Sequence, residues 1–131
     1  MTKFPSYIGA LAFLLSGGNA YAVELPPGAK KVTMEEFKAL ADGKHVKVEI
    51  FDFGKPLSAD LVWSWKEGTI TGKANVNGKI IDVKNKLSFK GDKACSASKG
   101  EKPTCHVIYV DGNMFYEVRD DMQVHAVSTV G

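Results

Sequence analysis

A large excess of charge of one sign is missing from this sequence. Its 131 residues hold 17 Lys and Arg against 15 Asp and Glu, and the two signs are interspersed along the chain. That balance argues against nucleic acid or an anionic membrane surface as a partner. Catalytic and metal motifs are missing as well. There is no Cys-x-x-Cys or His-x-x-x-His spacing, no Gly-x-Ser-x-Gly elbow, and no glycine-rich loop leading into a helix; the chain therefore offers no motif for zinc, for a serine hydrolase or for a phosphate cradle. No enzyme, metal or cofactor is expected from motifs. The single apolar run, near the start, is well short of the roughly 20 residues that span a bilayer.

That run has another reading. Lys3, the apolar residues Ile8 and Ala10 to Leu15, then Ser16-Gly17-Gly18 and Ala20-Tyr21-Ala22 follow the order of a secretory signal peptide. Cleavage is expected after Ala22, giving a periplasmic or secreted protein with no membrane anchor. Residues 1–22 are then the signal, 23–31 an extended lead-in containing Pro26-Pro27-Gly28, and 32–131 a single domain with room for one core. In an oxidising compartment the only two cysteines, Cys95 and Cys105, pair most simply as a disulfide. The polar stretch from Ser96 to Thr104 between them is expected to be a tied loop.

Thr33 and Glu36 have the spacing of a reciprocal capping box, Val32 and Phe37 that of a hydrophobic staple, and Gly43 supplies a stop. One short helix is predicted over 34–42. From His45 onward the apolar period drops to two, as in Val46, Val48 and Ile50 or Leu61, Trp63 and Trp65. Turn pairs follow at Glu67-Gly68, Asn77-Gly78 and Asp111-Gly112, with weaker breaks at Lys84-Asn85 and Gly91-Asp92.

About eight strands are predicted, near 45–53, 59–66, 69–76, 79–83, 86–90, 105–110, 113–118 and 123–128. No segment between them is long enough for a crossover helix. The fold class is mainly β (α+β): an antiparallel meander forming a small up-and-down barrel or strongly curved sheet, with one N-terminal helix packed on it. A two-residue turn at Asp111-Gly112 sets Val110 opposite Asn113, Tyr109 opposite Met114 and His106 opposite Glu117. Cys105, Val107, Tyr109, Met114, Tyr116 and Val118 then share a face, expected to be the core face with the disulfide on its rim. His106 and Glu117 become an outer pH-sensitive pair contributing under about 1 kcal/mol.

Candidate binding residues are few. Trp63 and Trp65 share a face and could line a pocket or stack on a sugar ring. Ser98 and Lys99, in the tied loop, could enter a partner's cleft. Cys95, Cys105, His106, His45 and His125 are residue types that ligate soft metals, but the disulfide uses both cysteines, and the adjacent Cys105 and His106 point to opposite faces of a strand.

The order Val32-Thr33-Met34-Glu35-Glu36-Phe37-Lys38-Ala39-Leu40 with Gly43, then Trp65 with Gly68, Cys95, Cys105-His106-Val107-Ile108-Tyr109, and Gly112 to Tyr116 resembles a family of small exported proteins of Gram-negative bacteria whose function is unknown. The resemblance implies an exported β-rich protein and no activity. In size, export and single disulfide the chain is also similar to the periplasmic inhibitors of c-type lysozyme, which are small antiparallel barrels. Their cleft-entering Ser- and Lys-bearing loop has only Ser96-Ala97-Ser98-Lys99-Gly100 as a counterpart here. The expected function is a non-catalytic binding module for a small molecule, glycan or protein, with inhibition of a cell-wall-degrading enzyme such as lysozyme as the alternative.

Overall fold

The computed structural model describes residues 23–52, 54–55 and 57–131; the expected signal peptide lies outside them. The elements are β1 (Lys30–Lys31), α1 (Met34–Ala41), β2 (His45–Ile50), β3 (Leu57–Ser64), β4 (Thr69–Val76), β5 (Lys79–Lys90), β6 (Lys93–Ala97), β7 (Thr104–Asp111), β8 (Met114–Val118) and β9 (Val124–Val130). Each strand from β2 to β9 pairs antiparallel with the next, and β9 returns to β2. The sheet is a closed eight-stranded up-and-down barrel. Every barrel strand has a neighbour on both sides, but residues 79–85 of β5 pair only with β4, because β6 pairs with residues 86–90.

Helix α1 begins as predicted. The Thr33 hydroxyl accepts from the Glu36 N–H, and the Thr33 N–H donates to the Glu36 carboxylate. At its other end the Trp65 N–H donates to Asp42 Oδ1 (3.0 Å) and the Gly43 N–H to the Trp63 carbonyl (2.8 Å). These bonds hold the helix across one mouth of the barrel. There Phe37 is fully buried and its ring meets Trp63, Trp65 and Phe115 edge-on at 4.8–5.3 Å. We call this the plugged end; the opposite mouth is ringed by the ends of β2, β4, β6 and β8 and the starts of β3, β5, β7 and β9.

The barrel has eight strands, as expected, although its members differ, and β1 adds a ninth strand to the sheet. Lys84-Asn85 is no break, so 79–83 and 86–90 are one strand, β5. The Ser96 to Thr104 loop is shorter than expected because Ser96 and Ala97 belong to β6 and Thr104 to β7. Cys95 faces Cys105 directly in the β6–β7 ladder, and the disulfide is formed. Replacing both cysteines by serine should lower unfolding stability by about 2–3 kcal/mol, the chain-entropy value for so short a ring. Denaturant unfolding with and without reductant measures it.

The β7–β8 hairpin departs from its predicted register. Asp111 faces Met114, Tyr109 faces Tyr116 and Ile108 faces Glu117, so the two-residue loop is Gly112-Asn113 rather than Asp111-Gly112. Asn113 is held there by β9: its side-chain amide donates to the Val130 carbonyl, and its own carbonyl accepts from the Val130 N–H. The expected grouping by face survives this slip, but the expected core face is the outer one. Tyr116, Val118 and Val124 are buried on the outside of the barrel, packed against Val23, Leu25, Ala29 and Tyr109. The lead-in is therefore a structural cover, and its last residues, β1, pair with β7 at Val110 and Tyr109. Structure begins before the expected Val32.

Candidate functional site

With Tyr109 and Tyr116 outside, the alternate residues of the hairpin point inward. Ile108 and Phe115 join the main core, and His106, with 8% of its surface exposed, faces the lumen near the open end. Glu117, on the neighbouring strand, faces Ile108 and lies diagonally across from His106. The third member comes from an irregularity. Glu117 pairs with Ala126 and Val118 with Val124, leaving His125 as an extra residue in β9. A bulge of this kind re-aims a side chain. Here it brings His125 to the same side as Ala126, with its ring stacked on His106 at 4.4 Å between centroids and 7° between planes.

Ligand-capable atoms of His106, Glu117 and His125 all lie within 4.8 Å of one another. The outer layer of the cluster is hydrogen-bonded. His125 Nδ1 lies 2.5 Å from Asp52 Oδ1; a carboxylate there accepts a hydrogen carried on Nδ1, which leaves Nε2 as the nitrogen turned to the cluster. Asp52 also accepts from Arg119 Nη1 (3.3 Å), whose Nη2 donates to Asp121 (2.8 Å). A bond from the Phe51 N–H to the His125 carbonyl seats the Asp52 segment against β9.

Burial dominates the electrostatics. It pushes the His106 pKa down to about 4, helped by the neighbouring charge of His125 and opposed by Asp52. It pushes Glu117 up, with His125 pulling the other way. At neutral pH His106 is an uncharged imidazole with a lone pair, and Glu117 is a carboxyl that needs a cation or a donor to ionise comfortably.

The chain matches no protein-family model, no curated protein and no solved structure.

The residues singled out from the sequence lie elsewhere. Trp63 is 3% exposed in the aromatic cluster at the plugged end, where a ligand cannot reach its face. Trp65 is half-buried between Phe37 and a stacked Phe89. Ser98 donates to Asn85 Oδ1 (3.4 Å), and Lys99 is exposed in the β6–β7 loop, which opens at the same end as the histidine cluster. A cleft of about 440 Å³ also opens there, lined by Glu49, Ile50, Phe51, Leu57 and Asn77, and a second of about 730 Å³ runs past Lys47, Asp60, Lys73 and Thr129. Neither includes the cluster.

His106, Glu117 and His125 together form a group that could hold a metal ion, a combination the motif spacings do not single out. The alternation predicts His106 opposite Glu117 on the outer face; in the structure Glu117 faces Ile108 and both polar side chains belong to the inner set. No local pattern marks the His125 bulge.

Proposed function

We propose that this protein is an exported, non-catalytic binding module whose binding site is the open, histidine-lined end of the barrel. One observation carries the reading. Two imidazoles and a carboxyl meet on three adjacent strands, one of them, His106, buried and the other two half-buried, at lumen positions where aliphatic residues would cost far less. Departures from local consistency of this kind are characteristic of functional sites. The other mouth is plugged by α1, which leaves one end for a ligand. Export is supported by the disulfide.

The test is a native intact mass of the protein recovered from its host's periplasm, alongside His106→Ala and Lys99→Ala. The expected result is a chain starting at Val23, oxidised, with a reproducible adduct that His106→Ala loses and Lys99→Ala keeps. Lysozyme keeps full activity in excess protein on this reading. An adduct indifferent to His106, or stoichiometric inhibition relieved by Lys99→Ala, would move the site to the β6–β7 loop.

A further inference from the structure

We infer that the open end of the barrel is a binding site for a divalent transition-metal ion, held by His106, Glu117 and His125 Nε2 and supported by Asp52. This rests on the binding-module reading above and names its ligand.

Donor chemistry sets the class. Two imidazole nitrogens and one carboxylate suit zinc, copper or nickel, whereas calcium and magnesium require mostly oxygen ligands. Three protein ligands leave at least one position for water or a ligand carried in with the ion. The hydrogen bond from His125 Nδ1–H to Asp52 is the arrangement by which metal-bound imidazoles are oriented and made more basic, and Arg119 in turn holds Asp52. Glu117 and His125 are partly exposed while His106 lies deeper, so an ion meets the outer two ligands first.

The stacked geometry sets one structural requirement. Parallel rings cannot both direct in-plane lone pairs at a single ion, and a tetrahedral ion at roughly 2.0–2.1 Å from its ligands needs them about 3.3 Å apart. One ring must therefore turn. His125 is fixed by Asp52, whereas the hydrogen bonds of the cluster do not include the side chain of His106. His106 is the ring that swings, and metal binding breaks the stack.

The experiment uses the oxidised full-length mature protein, stripped with chelator and titrated with Zn²⁺ by calorimetry and with Co²⁺ followed by its visible absorption. The expected result is one equivalent bound, with the intense bands of four-coordinate Co²⁺. His106→Ala, His125→Ala and Glu117→Gln should each weaken Zn²⁺ by 100-fold or more. Asp52→Asn should weaken it by about 10–100-fold with the stoichiometry kept. His45→Ala, at the plugged end, should change nothing. Imidazole ¹⁵N shifts should place the metal on His106 and on His125 Nε2, and circular dichroism confirms that each variant is folded.

Zn²⁺ binding weaker than about 100 μM, or binding indifferent to His106 and His125, overturns the inference. If an organic adduct from the periplasm is nonetheless lost in His106→Ala, the binding-module reading stands without the metal. If neither metal nor adduct depends on the cluster, both fall.

Discussion

Phe37→Ala should lose about 3–5 kcal/mol of unfolding stability, the cost of removing a fully buried aromatic ring. The reason lies in how little else holds α1. Eight residues cannot sustain a helix in water on propensity alone, so the helix depends on its docked face, and Phe37 is the centre of that face. Its ring is the common neighbour of Trp63, Trp65 and Phe115. Removing it leaves a cavity between helix and barrel and frees both tryptophans. Because small domains have about 5–15 kcal/mol in total, the variant should unfold at far lower denaturant and show a red-shifted tryptophan emission before the main transition. Phe89→Ala removes only the exposed side of the Trp65 stack and should cost roughly 1 kcal/mol. A Phe37→Ala loss no larger than that of Phe89→Ala would mean that the barrel end is closed without the helix.

Acid should destabilise the metal-free protein through His106. In the unfolded chain this imidazole takes up a proton near its ordinary pKa of 6.5, whereas the folded protein holds it to about 4. Between those values the unfolded state binds more protons, so stability falls as pH falls; the whole gap corresponds to about 3 kcal/mol, complete only below the folded value. Glu117 has the opposite sign. Its folded pKa is raised by burial, so its contribution is unfavourable at neutral pH and is relieved as it protonates. The acid loss of the native protein is therefore smaller than the His106 contribution alone. Denaturant midpoints between pH 7.5 and 4, in chelator, separate the two. His106→Leu should flatten the acid limb by about 3 kcal/mol, and Glu117→Gln should raise stability at pH 7. An unchanged acid limb in His106→Leu would show that His106 is not the group excluded from the proton.

Much of this architecture was legible because it is written in short-range chemistry. The Thr33–Glu36 box, the Gly43 stop and the alternation of Val46, Val48 and Ile50 each involve residues within a few positions of one another. Asn77-Gly78 does too: both residues have positive φ, 54° and 90°, as a two-residue hairpin turn of this type demands. β6 was harder to read, because Lys93–Ala97 has one small inward residue of the main core, Ala94, and gains its strand character from Cys105 and Ser88 on either side.

The candidate site was hidden by an ambiguity that no local pattern resolves. In β7 and β8 both alternating sets are largely apolar: Tyr109, Tyr116 and Val118 on one, Ile108, Val110 and Phe115 on the other. Polar His106 and Glu117 made the second set look like the solvent face. The tertiary structure decides otherwise, because Val23, Leu25 and Ala29 cover the first set from outside and the closing of β9 onto β2 turns the second toward the lumen. By itself the sequence determined the helix, the alternation, most turns, the cysteine pair and hence a small antiparallel barrel, since all of these follow from residues close in the chain. Only the tertiary structure decided which face of the last hairpin is inside, where the lead-in lies, and that a bulge at His125 brings it together with His106 and Glu117, since those outcomes depend on barrel closure and on contacts between segments far apart in sequence.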